Sequence, residues 1–262
     1  MSFIQALIIG LLQGLTEFIP VSSSAHLKLA KILMGWENTE NFILFDLACH
    51  FGTLIAVLIF LRKEIRQLIA VDKKSLGLIF LATLPLVPAY FLLKPLREFA
   101  SQSHFLGFCL MITACILFVG EKIRIKRLEN ASLKREIHDV LWIGVWQSAA
   151  LIPGISRSAS TISCAHVLGW NGARAVRFSF LLSIPTILGG NCLELLKLSL
   201  SHEYLPSHSF LCLFLGFLSA LGMGLLVIPY ALKWLEKGSL RPFAWYCLIL
   251  GITVSAFFYC LR

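Results

Sequence analysis

From Gln13 to His26 the chain reads QGLTEFIPVSSSAH, setting a carboxylate, a helix-breaking proline, three hydroxyls and an imidazole within fourteen residues. Gln13 and Glu17 stand four apart, the spacing that puts two side chains on one face of a helix. Pro20 stops that helix. Ser22, Ser23 and Ser24 open the next, with a hydroxyl to cap it and free N–H groups facing the break. Ser23 and His26 lie three apart, so a hydroxyl and a base can share one face. A second polar island, PGISRSAST from Pro153 to Thr161, carries Arg157 among Ser156, Ser158, Ser160 and Thr161, behind a Pro153-Gly154 turn. A guanidinium grips phosphate oxygens with two prongs, and a helix start rich in hydroxyls and N–H groups cradles anions. The two islands together describe a phosphate site.

Each piece also has a plainer reading. A serine cluster after a proline serves as a helix cap. His26 can bond a neighbouring carbonyl, and Glu17 with Arg157 can form a structural ion pair. Gly10, Gly14, Gly189, Gly190, Gly222 and Gly224 are expected to allow close helix packing. Asp46 and His50 are expected as polar core contacts near the cavity.

The elements that must position these groups are oily. Of the 262 residues, 58% are hydrophobic and 14% charged, and the mean hydropathy is +0.82. A soluble domain cannot hide that much apolar surface. Acids and histidines inside such sequence are costly to place and are functional candidates for that reason. The first apolar run lacks a basic start and a small-residue cleavage site, so it is read as part of the fold rather than a signal peptide. A net charge of +9 fits cytoplasmic loops beside anionic lipid, and no folded basic surface suggests nucleic acid. The eight cysteines lie in apolar stretches with no C-x-x-C pair, which assigns them neither metal nor disulfide.

Ten helical stretches are expected, over 3–19, 22–34, 43–61, 76–93 and 105–121, then 139–152, 156–168, 178–197, 209–232 and 243–261. A shift of 133 brings Pro20 onto Pro153, Ser23 onto Ser156, Phe45 onto Phe178 and Thr53 onto Thr186. Gly10 and Gln13 meet Gly144 and Gln147 at 134. The stretches 22–34 and 156–168 are too short to cross ~30 Å of hydrocarbon. Each therefore reads as the returning arm of a re-entrant hairpin, with broken backbone lining a protected cavity. The expected fold is an all-α polytopic membrane protein, a single domain over 1–262. It comprises two inverted-topology repeats, about 1–133 and 134–262, each with one re-entrant hairpin and three transmembrane helices. Of 23 Lys and Arg, 16 then fall on one side, in loops 62–75, 122–138, 169–177 and 233–242. The positive-inside rule makes that side cytoplasmic and turns both termini outward.

The motifs carry a resemblance. The first island is similar to the (E/Q)-x-x-x-E…P-x-S-S-x-x-H pattern of the undecaprenyl-diphosphatase, or bacitracin-resistance, family. Its second signature, P-G-x-S-R-S-x-x-T, is matched from Pro153 to Thr161, and FSFLLSIP at 178–185 is also similar. The resemblance covers the whole chain. It implies a phosphatase of the bacterial inner membrane that removes one phosphate from undecaprenyl diphosphate, recycling the lipid carrier of the cell wall and conferring bacitracin resistance. It implies a divalent cation, Mg²⁺ or Ca²⁺, and a site facing the outside. Many members begin the first motif with Glu, where this chain has Gln13. Any metal would then rest chiefly on Glu17, with Gln13 beside it, and on the substrate's phosphates.

On this reading Arg157 and the hydroxyls hold the diphosphate, with Ser22, Ser24, Gly154, Ser156, Ser158 and Thr161 as its binding residues. Glu17 binds metal or orients the nucleophile, and His26 is general acid or base. Ser23 is the candidate nucleophile and a positioned water its rival. The repeat puts Ser156 at the place of Ser23 and Ala159 at the place of His26, so only the first half pairs a hydroxyl with a base. The prenyl tail lies against apolar helices, and a second copy of the chain, as a homodimer, is a further candidate partner. The alternative function is a transporter or flippase of an anionic lipid or small anion.

Overall fold

The computed structural model describes residues 1–36, 42–123, 133–201 and 209–260. Its described residues form α-helices and short turns of 3-10 helix, with no strand. In the first half α1 (Phe3–Thr16) and α2 (Ser23–Leu33) precede α3 (Ile43–Phe60). Then come α4 (Arg62–Ala70), α5 (Lys73–Thr83), α6 (Leu86–Leu92), α7 (Lys94–Ala100) and α8 (Leu106–Lys122). The second half has α9 (Leu133–Ser148), α10 (Arg157–Val167), α11 (Gly172–Ser201), α12 (Phe210–Lys237) and α13 (Arg241–Cys260). Among the described residues six stretches are long and apolar enough to cross a membrane: α3, α5 with α6, α8 with the turn before it, α11, α12 and α13. The protein is an all-α, multi-pass membrane protein. By contrast α1 has 14 residues, and α2 and α10 have 11 each. At the helical rise these reach only about 21 and 16 Å.

Packing follows membrane rules. α1 turns Ile4, Ile8, Leu11 and Leu15 outward and buries Ala6, Gly10, Gln13 and Gly14. Lipid tails are as apolar as leucine, so helices associate through small residues rather than through oil-in-water burial. A Cβ on Gly10 would meet the Gly216 carbonyl oxygen at 2.5 Å, and one on Gly14 the Ala220 oxygen at 2.6 Å, both on α12. Gly224 is likewise closed off by Ala56 at 2.9 Å. The same role fails for Gly189, Gly190 and Gly222, where an added Cβ meets nothing within 4 Å. These three open space instead of closing it.

The helix α10 is polar yet buried from Ser158 to His166. The hydroxyls of Ser160 and Thr161 offset part of the cost, while that of Ser163 is buried without a partner. Ser160 donates to the Ser156 carbonyl at 2.9 Å, Thr161 to the Arg157 carbonyl at 3.0 Å, and Thr161 also meets the Ser179 hydroxyl at 2.7 Å. Buried polar groups with partners cost little; without them they cost about 1–3 kcal/mol each.

Several expected boundaries move: α9 begins at Leu133 rather than 139, and α11 at Gly172 rather than 178. The stretch 76–93 is broken at Pro85 into α5 and α6, whose fixed φ and missing N–H interrupt the ladder. Pro185 and Pro229, by contrast, sit inside α11 and α12 without ending them. Two short helices appear where loops were expected. α4 buries none of its residues and carries Arg62, Lys63 and Arg66 on an amphipathic frame, the pattern of a helix lying along an interface. α7 begins two residues after α6 ends, with Pro95 in its first turn. Residues 124–132 of the basic stretch 122–138, and Arg262, lie outside the described residues.

Across the molecule α3 and α1 pack on α12, α11 and α9 pack on α5, and α8 packs on α13. Each contact couples one half of the chain to the other. That arrangement brings the two polar islands face to face.

Candidate active site

The site is built where the turn between α1 and α2 meets the turn before α10. Glu17 caps the end of α1, its N–H bonded to the Gln13 carbonyl at 3.0 Å. Ser22 is the N-cap of α2 and Ser156 that of α10, their side chains accepting from the N–H of Ala25 and Ala159. The tips interlock. The Gly154 N–H donates to Ser24 Oγ at 3.3 Å, and Ser158 Oγ donates to the Ile19 carbonyl at 3.2 Å. Thr113 of α8 backs the second tip, accepting from the Ser156 N–H and meeting the Gly154 carbonyl, each at 3.1 Å.

Glu17 is the hub. Its Oε1 accepts from Arg157 Nη2 at 2.9 Å. Its Oε2 accepts from Ser23 Oγ at 2.8 Å and from Gln13 Nε2 at 2.9 Å. His50 of α3 sets Nδ1 2.8 Å from the same Gln13 nitrogen and 3.6 Å from Glu17 Oε2. Only a donor suits Glu17, so the amide of Gln13 points its NH₂ there, and Gln13 Oε1 is left buried without a partner. Glu17 and Arg157 line a cavity of about 430 Å³, together with Asp46, His50, Gln147 and Asn191.

The pairing expected between Ser23 and His26 is replaced by another. His26 Nδ1 lies 2.7 Å from the Ser22 carbonyl oxygen, which can only accept. The ring proton therefore sits on Nδ1, and Nε2 accepts from the Tyr246 hydroxyl of α13 at 2.7 Å. The two rings stack with centroids 5.7 Å apart. The group that receives the Ser23 hydroxyl is Glu17.

A carboxylate that holds a serine on one oxygen and an arginine on the other, at the end of a broken helix, has the parts for phosphoryl transfer. Comparison with known proteins agrees with the geometry. The sequence profile described as bacitracin resistance protein BacA matches residues 6–253. The chain belongs to that family. An undecaprenyl-diphosphatase of Protochlamydia amoebophila is 38% identical over 98% of this chain and 99% of its own. Those of Carboxydothermus hydrogenoformans and Methanobrevibacter smithii are 40% and 37% identical, each over 97% of both chains.

Among the family's motif residues in this chain, the structure brings Gln13, Glu17, Ser23 and Arg157 into one hydrogen-bonded group. The others serve the tips. Ser22 and Ser156 are spent as caps, Ser24 and Ser158 tie the tips together, and Thr161 turns to Ser179. Gly154 has φ +98°, where a Cβ would also meet that of Cys109 at 2.6 Å. None of these six lines the cavity of Glu17 and Arg157, and neither do Gln13, Ser23 and His26; Ser23 is joined to it through its bond to Glu17. Asp46 does line it, but it is held by Lys31 Nζ at 2.6 Å.

Three residues at the site were not singled out as functional from the sequence: His50, Tyr246 and Asn191. For His50 the signal was present, an imidazole within an apolar helix. Tyr246 and Asn191 give none, since a tyrosine or asparagine in such a helix is ordinary.

The family's divalent cation can be tested against these residues. No three His, Cys, Asp or Glu side chains gather among the described residues. The oxygens on hand are those of the Glu17 carboxylate and, one turn back on α1, the unpartnered Gln13 Oε1; as the amide stands, Gln13 turns Nε2 and not Oε1 to Glu17. Mg²⁺ is commonly held by one or two carboxylates with the remaining positions taken by phosphate and water. The residues fit a cation shared with the substrate, not a protein-only cage.

Proposed function

We propose that this protein is a membrane undecaprenyl-diphosphate phosphatase, releasing inorganic phosphate and undecaprenyl phosphate. The observation that carries the reading is the junction of Ser23, Glu17 and Arg157 at the meeting of the two family motifs. The diphosphate enters the cavity and competes for the guanidinium. Arg157 releases Glu17, which it holds through Nη2, and offers two N–H groups to the phosphate oxygens, where charge must be held as the bridging bond breaks. Ser23 Oγ attacks the terminal phosphorus and passes its proton to Glu17, with which it already shares a hydrogen bond. The bond from that phosphorus to the bridging oxygen breaks, and undecaprenyl phosphate leaves. Glu17 gives that proton up to the departing undecaprenyl phosphate and is a carboxylate again. Water then attacks the phosphoserine, and Glu17 takes a proton from it and returns it to Ser23 Oγ as the serine–phosphorus bond breaks and phosphate departs. In the rival course Glu17 orients water directly. A divalent cation held by Glu17, with the Gln13 amide turned over to offer Oε1, would supply further neutralisation of the phosphate charge.

His26, with its Nε2 turned to Tyr246, is placed to organise the first tip and to exchange protons with that hydroxyl rather than with Ser23. The distribution of Lys and Arg supports a cytoplasmic side at loops 62–75, 122–138, 169–177 and 233–242. The cross-pairing of the two halves supports an inverted repeat with re-entrant tips, and the family pattern a site open to the outside of the inner membrane. Both motifs come from one chain, so the chemistry does not require a homodimer. Release of phosphate from undecaprenyl diphosphate by the purified protein, dependent on Mg²⁺ or Ca²⁺, is the expected result. Movement of the lipid across vesicles with no phosphate released would favour the flippase instead.

A further inference from the structure

A second cavity adjoins the first. It is an apolar groove of about 360 Å³ between α3, α11 and α12, lined by Phe51, Leu188, Phe214 and Phe217 among others. Leu47 and Asn191 line both the groove and the cavity of Glu17 and Arg157. A polar chamber and an oily groove thus meet at one leucine and one asparagine.

Three features mark this junction as a passage. Gly189 and Gly190 precede Asn191 on α11 and leave open space where any side chain would stand, and Gly190 lines the polar cavity. Asn191 is 7% exposed, yet its Nδ2 has no partner, which is costly unless a ligand supplies one. Phe51, Leu188 and Phe214 are each 45–46% exposed, so the groove opens laterally from the bundle. A ligand that satisfies both rooms at once carries charge at one end and hydrocarbon at the other.

We propose that the isoprenoid chain of the lipid diphosphate leaves the catalytic cavity past Leu47 and Asn191 and lies in the groove between α3, α11 and α12. Asn191 Nδ2 then donates to the phosphate nearest the chain. This rests on the phosphatase reading. The tail comes from lipid, which is already apolar, so the groove contributes by packing and alignment rather than by removing the chain from water. It therefore fixes how the diphosphate presents its terminal phosphorus and discriminates between long and short tails. A separate apolar hollow between α8 and α13, at Phe108, Met111 and Ala256, shares no lining residue with the catalytic cavity.

The test compares kcat/KM for undecaprenyl diphosphate with that for a five-carbon prenyl diphosphate. Ala48→Phe and Cys192→Phe, which fill the groove from α3 and α11, should lower the long-to-short ratio about tenfold, a loss of roughly 1.4 kcal/mol in the differential binding of the tail. Ala256→Phe should keep the wild-type ratio. Asn191→Leu should lower both rates together by about tenfold, as loss of a hydrogen bond to a charged group does. Wild-type protein photolysed with a polyprenyl diphosphate bearing a diazirine in its first isoprene units should be labelled on α3, α11 or α12. Labelling confined to α8 and α13, or an unchanged ratio in both groove variants, overturns the groove. A wild type inert toward both lipids, with its fold intact, overturns the phosphatase reading and the groove with it.

Discussion

The two helix tips share a frame and divide the chemistry. α2 and α10 each have 11 residues and start on a serine cap, Ser22 and Ser156. They end alike: Gly35 and Gly169 have φ +74° and +90°, and Trp36 and Trp170 donate to the carbonyls of Lys31 and Ala165. Each of these pairs is separated by 134 residues. The shift of 133, read from the prolines and serines, is therefore corrected within the tips. Ser156 answers to Ser22, and Arg157 stands where the first tip has Ser23. His26 answers to Ser160. The backbones differ in the turn, where the left-handed residue is Ser22 in the first tip and Gly154 in the second. Equal scaffolds thus present a hydroxyl on one side of Glu17 and a guanidinium on the other, which a single helix start could not do. A serine held at φ +70° is strained, and strain of that kind persists only where its surroundings enforce it.

The comparison breaks most completely at the residue both tips share. Glu17→Gln should lower kcat/KM by about 10⁴-fold, since it removes the base and leaves Arg157 without its carboxylate. A loss under tenfold with the fold intact would make Glu17 a structural anchor. Next comes the side of the first tip. Ser23→Ala should cost about 10³-fold and abolish any trapped phosphoserine, measured by single-turnover labelling with lipid carrying ³²P. Retention of a tenth of the wild-type rate would assign the attack to water held by Glu17.

On the second tip, Arg157→Lys keeps the charge and loses the planar fork. It should cost about 10²-fold, in turnover if the fork serves the transition state and in KM if it only docks the substrate. Tyr246→Phe leaves His26 Nε2 without its donor and should cost severalfold. In a cycle with His26→Ala the two losses should fail to add, because the side chains share one hydrogen bond. Additive losses would separate Tyr246 from the histidine. The smallest effects test the common frame. Ser22→Ala and Ser156→Ala should each lower unfolding stability by about 1 kcal/mol through the lost cap. The two should be equal within a few tenths, as thermal unfolding in detergent would read. A large catalytic loss with unchanged stability at Ser156 would return it to substrate binding.

Much of this was legible from local pattern. Gln13 and Glu17 meet because an i,i+4 spacing makes them neighbours on any helix. Ser22 and Ser156 cap because a serine before a helix has few better uses. The Pro153-Gly154 turn forms as read, with Gly154 left-handed. The Ser23–His26 pair failed for a reason that spacing cannot express. Three residues of separation puts two side chains on one face, but the rotamer decides what each reaches. The Ser22 carbonyl and Tyr246, more than two hundred positions away, claim both nitrogens of the ring. Gly189 and Gly190 were misjudged similarly, since a glycine that admits a neighbouring helix and one that leaves a passage are written the same way.

The sequence by itself determined that this chain lives in a bilayer, roughly where its long apolar helices fall, and which two polar islands carry the chemistry. Those are consequences of hydrocarbon thickness, helical rise and the cost of placing charge in oil, all local to each stretch. Only the tertiary structure decided that Glu17 holds Ser23 and Arg157 on opposite oxygens, that His26 belongs to Tyr246, and that the polar cavity meets an apolar groove at Asn191. Those depend on which helix faces which at distances near 3 Å, and that is set by the close approach of small residues such as Gly10 and Gly14 to α12, far along the chain.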